Sequence, residues 1–118
     1  MAHDIALFVY GSLKQGFRHA DVLSSAQRSG TAAAAPYTLV RYRDYPAMVP
    51  AVSGIVHGEL VFVDRDLLAV LDEFEDCPTT YQRRSILLTD GREAQAYLIS
   101  VEVAREYASV PGGIWRED

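Results

Sequence analysis

Only one cysteine, Cys77, occurs among the 118 residues, so an intrachain disulfide is excluded and no CxxC pair is available for a metal or for redox exchange. Uninterrupted apolar runs of about 18 residues are absent, which argues against a membrane-spanning helix. The opening Met1-Ala2-His3-Asp4 lacks the basic flank and apolar stretch of a secretory signal. A cytoplasmic protein with no membrane partner is the expectation. Basic residues are few and scattered apart from the doublet Arg83-Arg84. Eleven Lys and Arg face 16 Asp and Glu, for a net charge of −5. No basic stripe offers itself to phosphates, so nucleic acid is not expected as a partner. The acidic balance says little about which small molecule binds.

Several catalytic signatures are missing too. His3, His19 and His57 form no HExxH and no close pairing with cysteine, so a metal site has no support. The GxSxG elbow, the GxGxxG turn and the GxxxxGK[ST] phosphate loop do not occur. Cys77 has no histidine near it in sequence, and a cysteine of this kind is ordinarily a small buried hydrophobe.

What the chain does have is a 49% hydrophobic content, ample for one buried core, and a length that fits one domain over residues 1–118. The apolar run Ile5–Tyr10, stopped by Gly11, reads as a buried strand feeding a turn. Ala20, Leu23 and Ala26 predict a short helix over 19–27. Residues 31–35, 37–42 and 46–52 look extended, but the prolines at 36, 46 and 50 suit edge strands or ordered loops. Gly54–Val63 reads as a central strand. Its Val61 and Val63 point to one side and its Val56 and Leu60 to the other. Asp64 caps a helix from Arg65 to about Glu75, ended before Pro78. Residues 81–89 and 93–100 flank Asp90-Gly91, a dipeptide that tolerates a tight hairpin turn. The tail, with its Pro111-Gly112-Gly113 break before Trp115, is left irregular, and it either covers a site or packs outside one. Strands outnumber helices without alternating regularly with them, so the fold class is α+β with a curled sheet.

Within the 65–75 helix one carboxylate is out of place. At about 100° per residue with Leu68 at zero, Leu71, Leu67, Phe74 and Val70 fall at about 300°, 260°, 240° and 200°. They mark the buried face. Asp72, Asp76, Glu73 and Asp66 fall at about 40° to 160°, on the solvent side. Glu75 falls at about 340°, between Leu68 and Leu71. A charge there needs a partner or a cavity. One reading is that Glu75 merely ends the helix and accepts from nearby amides. The other is a base in a partly apolar pocket, its pKa raised by burial beside Phe74, Cys77 and Pro78 and by the neighbouring charges of Asp72, Glu73 and Asp76.

The second candidate is the turn Tyr10-Gly11-Ser12-Leu13. A sharp turn off a buried strand can aim successive backbone N–H groups at one spot, which suits a carboxylate or an oxyanion. An ordinary glycine turn with Ser12 bonded locally is the alternative. Lys14, Arg18 and His19 follow and could hold a negative group. A solvated Lys and Arg and a structural His19 are the usual finding.

Val9-Tyr10-Gly11-Ser12-Leu13-Lys14-Gln15-Gly16, followed by Leu71-Asp72-Glu73-Phe74-Glu75-Asp76-Cys77-Pro78 and Tyr81-Gln82-Arg83, resembles the γ-glutamylcyclotransferase superfamily. The later block looks most like its γ-glutamylamine cyclotransferase branch. The resemblance spans residues 5–116. It implies a small mixed β-barrel with flanking helices, Glu75 as the catalytic general acid/base, a substrate loop of Tyr10, Gly11, Ser12 and Leu13, and pocket tyrosines at Tyr81 and Tyr97. Its implied chemistry converts a γ-glutamyl amide to 5-oxoproline and a free amine with no cofactor. Ser12 stands where many relatives have Thr, and the chain is shorter than the mammalian enzymes, mostly between residues 30 and 55. That middle region is expected to border the pocket mouth. A sister activity that trims a γ-glutamyl protecting group, and a non-catalytic binding module for γ-glutamyl-like or acidic metabolites, are the alternatives. Nothing in the sequence speaks to oligomeric state.

Overall fold

The computed structural model describes residues 4–116. Met1–His3 of the opening motif, and residues 117 and 118, lie outside the described residues. Seven strands run β1 (Ile5–Val9), β2 (Gln27–Ala34), β3 (Tyr37–Tyr42), β4 (Tyr45–Pro50), β5 (Val56–Val63), β6 (Gln82–Leu87) and β7 (Glu93–Leu98). Two helices, α1 (Arg65–Phe74) and the single turn α2 (Val101–Ala104), flank them. The strands form one mixed sheet in the order β2-β5-β1-β7-β4-β3, with β6 on β7. The sheet curls until Ala34 at the end of β2 bridges Leu88 just beyond β6. The fold is the α+β, barrel-like architecture expected.

Alternation along β1 and β5 divides the core in two, because successive side chains of a strand leave opposite faces. Leu7 and Val9 of β1 join Val61 and Val63 of β5 in one cluster, which also receives Leu68 and Leu71 from α1. Phe8 and Tyr10 join Val56 and Leu60 in the other, together with Met48, Leu98 and Trp115. Burying each such aliphatic side chain contributes about 1.5–3 kcal/mol. The tail is anchored by Trp115 in the core, and none of its described residues lines the cavity described below.

Helix α1 starts as its sequence dictates. The Asp64 carboxylate accepts from Leu67 N–H at 2.8 Å, satisfying one of the donors left over at a helix start. Its buried face is narrower than the wheel suggested: Leu68 and Leu71 are buried, whereas Val70 and Phe74 are 54% and 42% exposed. Leu68 and Leu71 carry the packing of the helix onto the sheet, and Phe74 and Glu75 at its end both line the cavity described below.

Three further expectations are corrected. The helix predicted over 19–27 is only a 3-10 turn at Ala20–Leu23. Gln27 is drawn instead into β2, where it pairs with Phe62. Strand β4 lies inside the sheet between β3 and β7 despite Pro46 and Pro50. It pairs with β7 only at Met48–Leu98, while its six-residue antiparallel ladder with β3 includes both Pro46, opposite Arg41, and Pro50, opposite Tyr37. The β6–β7 hairpin forms, but its link spans residues 89–91, with Leu88 N–H donating to the Arg92 carbonyl at 2.8 Å. Only Gly91 takes a positive φ, of 93°.

Candidate active site

The sheet forks at β7. One edge of β7 pairs with β6 along its length, while the other is shared by β1, at Leu7–Gln95, and β4, at Met48–Leu98. Tyr10 bridges the fork: its O–H donates to the Tyr97 carbonyl and its oxygen accepts from Met48 N–H at 3.2 Å. Tyr81 O–H donates to the Pro46 carbonyl at 2.9 Å, tying the segment after α1 to β4. Burial raises the pKa of all three tyrosines, Tyr10, Tyr81 and Tyr97, above the ordinary phenol value, so they remain neutral hydrogen-bonding groups.

Beside this fork lies a cavity of about 410 Å³. Its lining includes Tyr10, Gly11, Ser12, Leu13, Glu75, Tyr81 and Tyr97. The structure thus places around one space the seven residues that the family resemblance implied. The tyrosine hydroxyls, however, are spent on the protein: Tyr97 O–H donates to Asp72 Oδ1 at 2.7 Å. Their rings wall the cavity.

The loop after β1 has a one-sided polarity. The Gly11 carbonyl accepts from Lys14 N–H at 3.1 Å, the Ser12 carbonyl from His19 N–H at 2.9 Å, and the Leu13 carbonyl from the Arg28 guanidinium at 3.1 Å. The N–H groups of Gly11, Ser12 and Leu13 donate to no acceptor among the described residues. Three carbonyls are engaged and three successive amides are left over, which is the composition of an anion site. Glycine is required at the turn because a Cβ on Gly11 would lie 2.7 Å from Pro46 Cγ.

Glu75 caps the end of α1, its N–H donating to the Leu71 carbonyl at 2.9 Å. No ion pair among the described residues involves its carboxylate. Burial alone pushes its pKa up to about 7. The neighbouring acids expected to contribute do not. Asp72, the nearest of them along the helix, is held by Arg83. Burial pulls the Asp72 pKa up, but hydrogen bonds from Arg83 and Tyr97 and the Arg83 charge outweigh it and leave it below the ordinary carboxylate value. Arg83 Nε donates to Asp72 Oδ1 at 2.9 Å and Arg83 Nη2 to Oδ2 at 3.1 Å. Asp72 is therefore not a solvated acid of the outer face. It is the clamp that fixes the end of α1 to the β6–β7 hairpin.

Lys14 is neither solvated nor at the cavity. It is 7% exposed, with Nζ donating to the Trp115 carbonyl at 2.9 Å. Arg18 stacks toward Tyr45, with 5.7 Å from guanidinium to ring centre, and does not line the cavity. Cys77 is half-buried and is not a lining residue. His19, expected to be structural, does line the cavity. Sequence reasoning missed Arg43, Asp44, Asp76 and Thr80 as lining residues. Arg43 and Asp44 form the β3–β4 link, where Arg43 has a φ of 59°, so the middle region does border the cavity.

Comparison with known proteins identifies the family and the fold. Residues 7–117 match the family described as Gamma-glutamyl cyclotransferase, AIG2-like. Gamma-glutamylaminecyclotransferase A of Danio rerio is 34% identical over 112 residues, covering 81% of this chain and 70% of its own. The human Gamma-glutamylaminecyclotransferase is 38% identical over 87 residues, covering 65% of this chain and 57% of its own. The crystal structure of an AIG2-like protein from Mus musculus superposes with a TM-score of 0.80 at 25% identity, covering 99% of this chain and 97% of that one. The chain therefore belongs to the γ-glutamyl cyclotransferase, AIG2-like family.

Proposed function

We propose that this protein is a γ-glutamyl cyclotransferase that releases 5-oxoproline and a free amine from a γ-glutamyl amide, with Glu75 as general base and then general acid. The observation that carries this reading is the juxtaposition in one cavity of an unpaired carboxylate with a pKa of about 7 and three unengaged loop amides.

Such a substrate contains both reactants. Its α-amino nitrogen reaches the γ-carbonyl carbon when the chain curls, closing a five-membered ring. Walls made of Tyr10, Tyr81, Tyr97 and Phe74 favour that compact conformer. A well-oriented intramolecular attack recovers about 7–11 kcal/mol of barrier that a bimolecular reaction meets. The α-ammonium cannot attack until it loses a proton, and a carboxylate with a pKa near the working pH is suited to take it. Nitrogen then bonds to the γ-carbon, the carbonyl electrons move to oxygen, and the Gly11–Leu13 amides receive the oxyanion. One donor of this kind is worth about 3–4 kcal/mol. As the carbonyl re-forms, the original C–N bond breaks and the departing nitrogen takes the proton held by Glu75. The ring nitrogen still carries one proton too many after the attack, and it passes this to the Glu75 carboxylate and on to the released amine, so both protons lost by the α-nitrogen end on the leaving group. No water is consumed and no cofactor enters. Relatives named Gamma-glutamylaminecyclotransferase support a γ-glutamylamine, such as γ-glutamyl-ε-lysine, as the substrate to test first.

The test is a panel of γ-glutamyl amines, γ-glutamyl amino acids and γ-glutamylated aminoglycosides incubated with the protein, with 5-oxoproline as the readout. Turnover of at least one member, abolished in a folded Glu75→Gln variant, is expected. Full activity in that variant would remove Glu75 from the mechanism.

A further inference from the structure

His19 is attached to the substrate loop twice. Its main-chain N–H donates to the Ser12 carbonyl at 2.9 Å, and its Nδ1 lies 3.0 Å from Ser12 Oγ. Both side chains line the cavity, and Ser12 is 8% exposed. The imidazole is held edge-on by Phe74, with ring centres 5.2 Å apart, and Phe74 is the residue before Glu75. A hydroxyl has one hydrogen and two lone pairs. When Nδ1 is the unprotonated ring nitrogen, the Ser12 hydrogen is committed to it, and the oxygen can present only lone pairs to a third group.

We infer that His19 is a positioning residue that fixes the Ser12 hydroxyl as an acceptor for the N–H of the substrate α-amino group. The inference rests on the cyclotransferase reading and deepens it. The amides of residues 11–13 supply donors for oxygen, Glu75 takes a proton, and the Ser12–His19 pair supplies the acceptor that steers the amine nitrogen between them. A free serine hydroxyl could point its hydrogen at that nitrogen and oppose its approach. The pairing with His19 removes that orientation.

The experiment is steady-state kinetics of Ser12→Ala, His19→Ala, His19→Asn and His19→Phe on a turned-over γ-glutamyl amide, with thermal unfolding of each variant as a folding control. Ser12→Ala and His19→Ala should each raise KM about tenfold, as for loss of one hydrogen bond to a charged group. The double variant should be no worse than either single one, because both remove the same contact. His19→Asn should restore KM, since its side-chain oxygen can accept near the place of Nδ1. His19→Phe, which keeps a ring against Phe74 but has no acceptor, should not. Rescue by Phe and not by Asn, additive losses, or an unchanged KM in all variants would overturn this inference alone. Absence of 5-oxoproline from the wild-type protein across the panel would overturn the functional reading and this inference with it.

Discussion

Replacing Glu75 with glutamine should stabilise the fold above neutral pH while abolishing catalysis, and the size of the gain follows from the site. Burial lifts the carboxyl from the ordinary value of 4.5 to about 7. Below about pH 4.5 the group is protonated in both the folded and unfolded chains, and residue 75 makes no pH-dependent contribution. Between there and pH 7 the folded chain keeps a proton that the unfolded chain has lost, so raising the pH favours unfolding. Above pH 7 the full cost of a buried anion is present. At about 1.4 kcal/mol for each pH step, the gap amounts to about 3 kcal/mol. Glutamine copies the shape of the protonated acid and has no such cost. Urea unfolding of wild type and Glu75→Gln from pH 4.5 to 8.5 should give curves that meet at the acid end and separate by about 3 kcal/mol at the alkaline end. That difference corresponds to roughly 10 °C in Tm for a chain of this size. All other titrating groups are common to both proteins and cancel. Curves that stay parallel across the range would refute the claim that the fold desolvates this carboxylate.

The logarithm of kcat/KM should climb through an acid limb centred near pH 7, because the base must be ionised to act. A limb centred near 4.5 would point to a solvated carboxylate. Tyr10→Phe should lose about 1–3 kcal/mol in urea unfolding, since it strands the buried Met48 N–H and Tyr97 carbonyl. Gly11→Ala should damage activity far more than stability, because its Cβ would meet Pro46 at 2.7 Å and displace the loop amides. Equal loss of kcat/KM and of folding free energy would argue against that. Asp72→Asn should raise KM and lower stability by about 1 kcal/mol, a modest value for a clamp near solvent. An unchanged KM would show that the Arg83–Asp72 pair does not position Glu75.

The parts of this site that could be read from sequence are those set by local repetition. Glu75 betrayed itself by falling on the 3.6-residue stripe of Leu68 and Leu71, and Gly11 by stopping a buried strand. Asp64 announced the start of α1. What stayed hidden depends on partners far along the chain. Asp72 lies on the acidic side of the wheel, and only the β6–β7 hairpin, folding back with Arg83 and Tyr97, gives it a role. Lys14 reads as a surface lysine until the tail brings the Trp115 carbonyl to it. The spacing of Ala20, Leu23 and Ala26 suits a helix, but pairing with β5 claims Gln27 for a strand. His19 had a legible signal after all: it follows the glycine-bounded loop closely enough to fold back on Ser12.

Mass spectrometry of the product formed in ¹⁸O-labelled water tests the central chemistry most directly. Wild-type protein acting on a γ-glutamyl amine should yield unlabelled 5-oxoproline and one equivalent of amine, and Glu75→Gln should yield neither. Glutamate carrying the heavy oxygen would mean that water, not the substrate's own amino group, attacks the carbonyl, and ring closure would be contradicted.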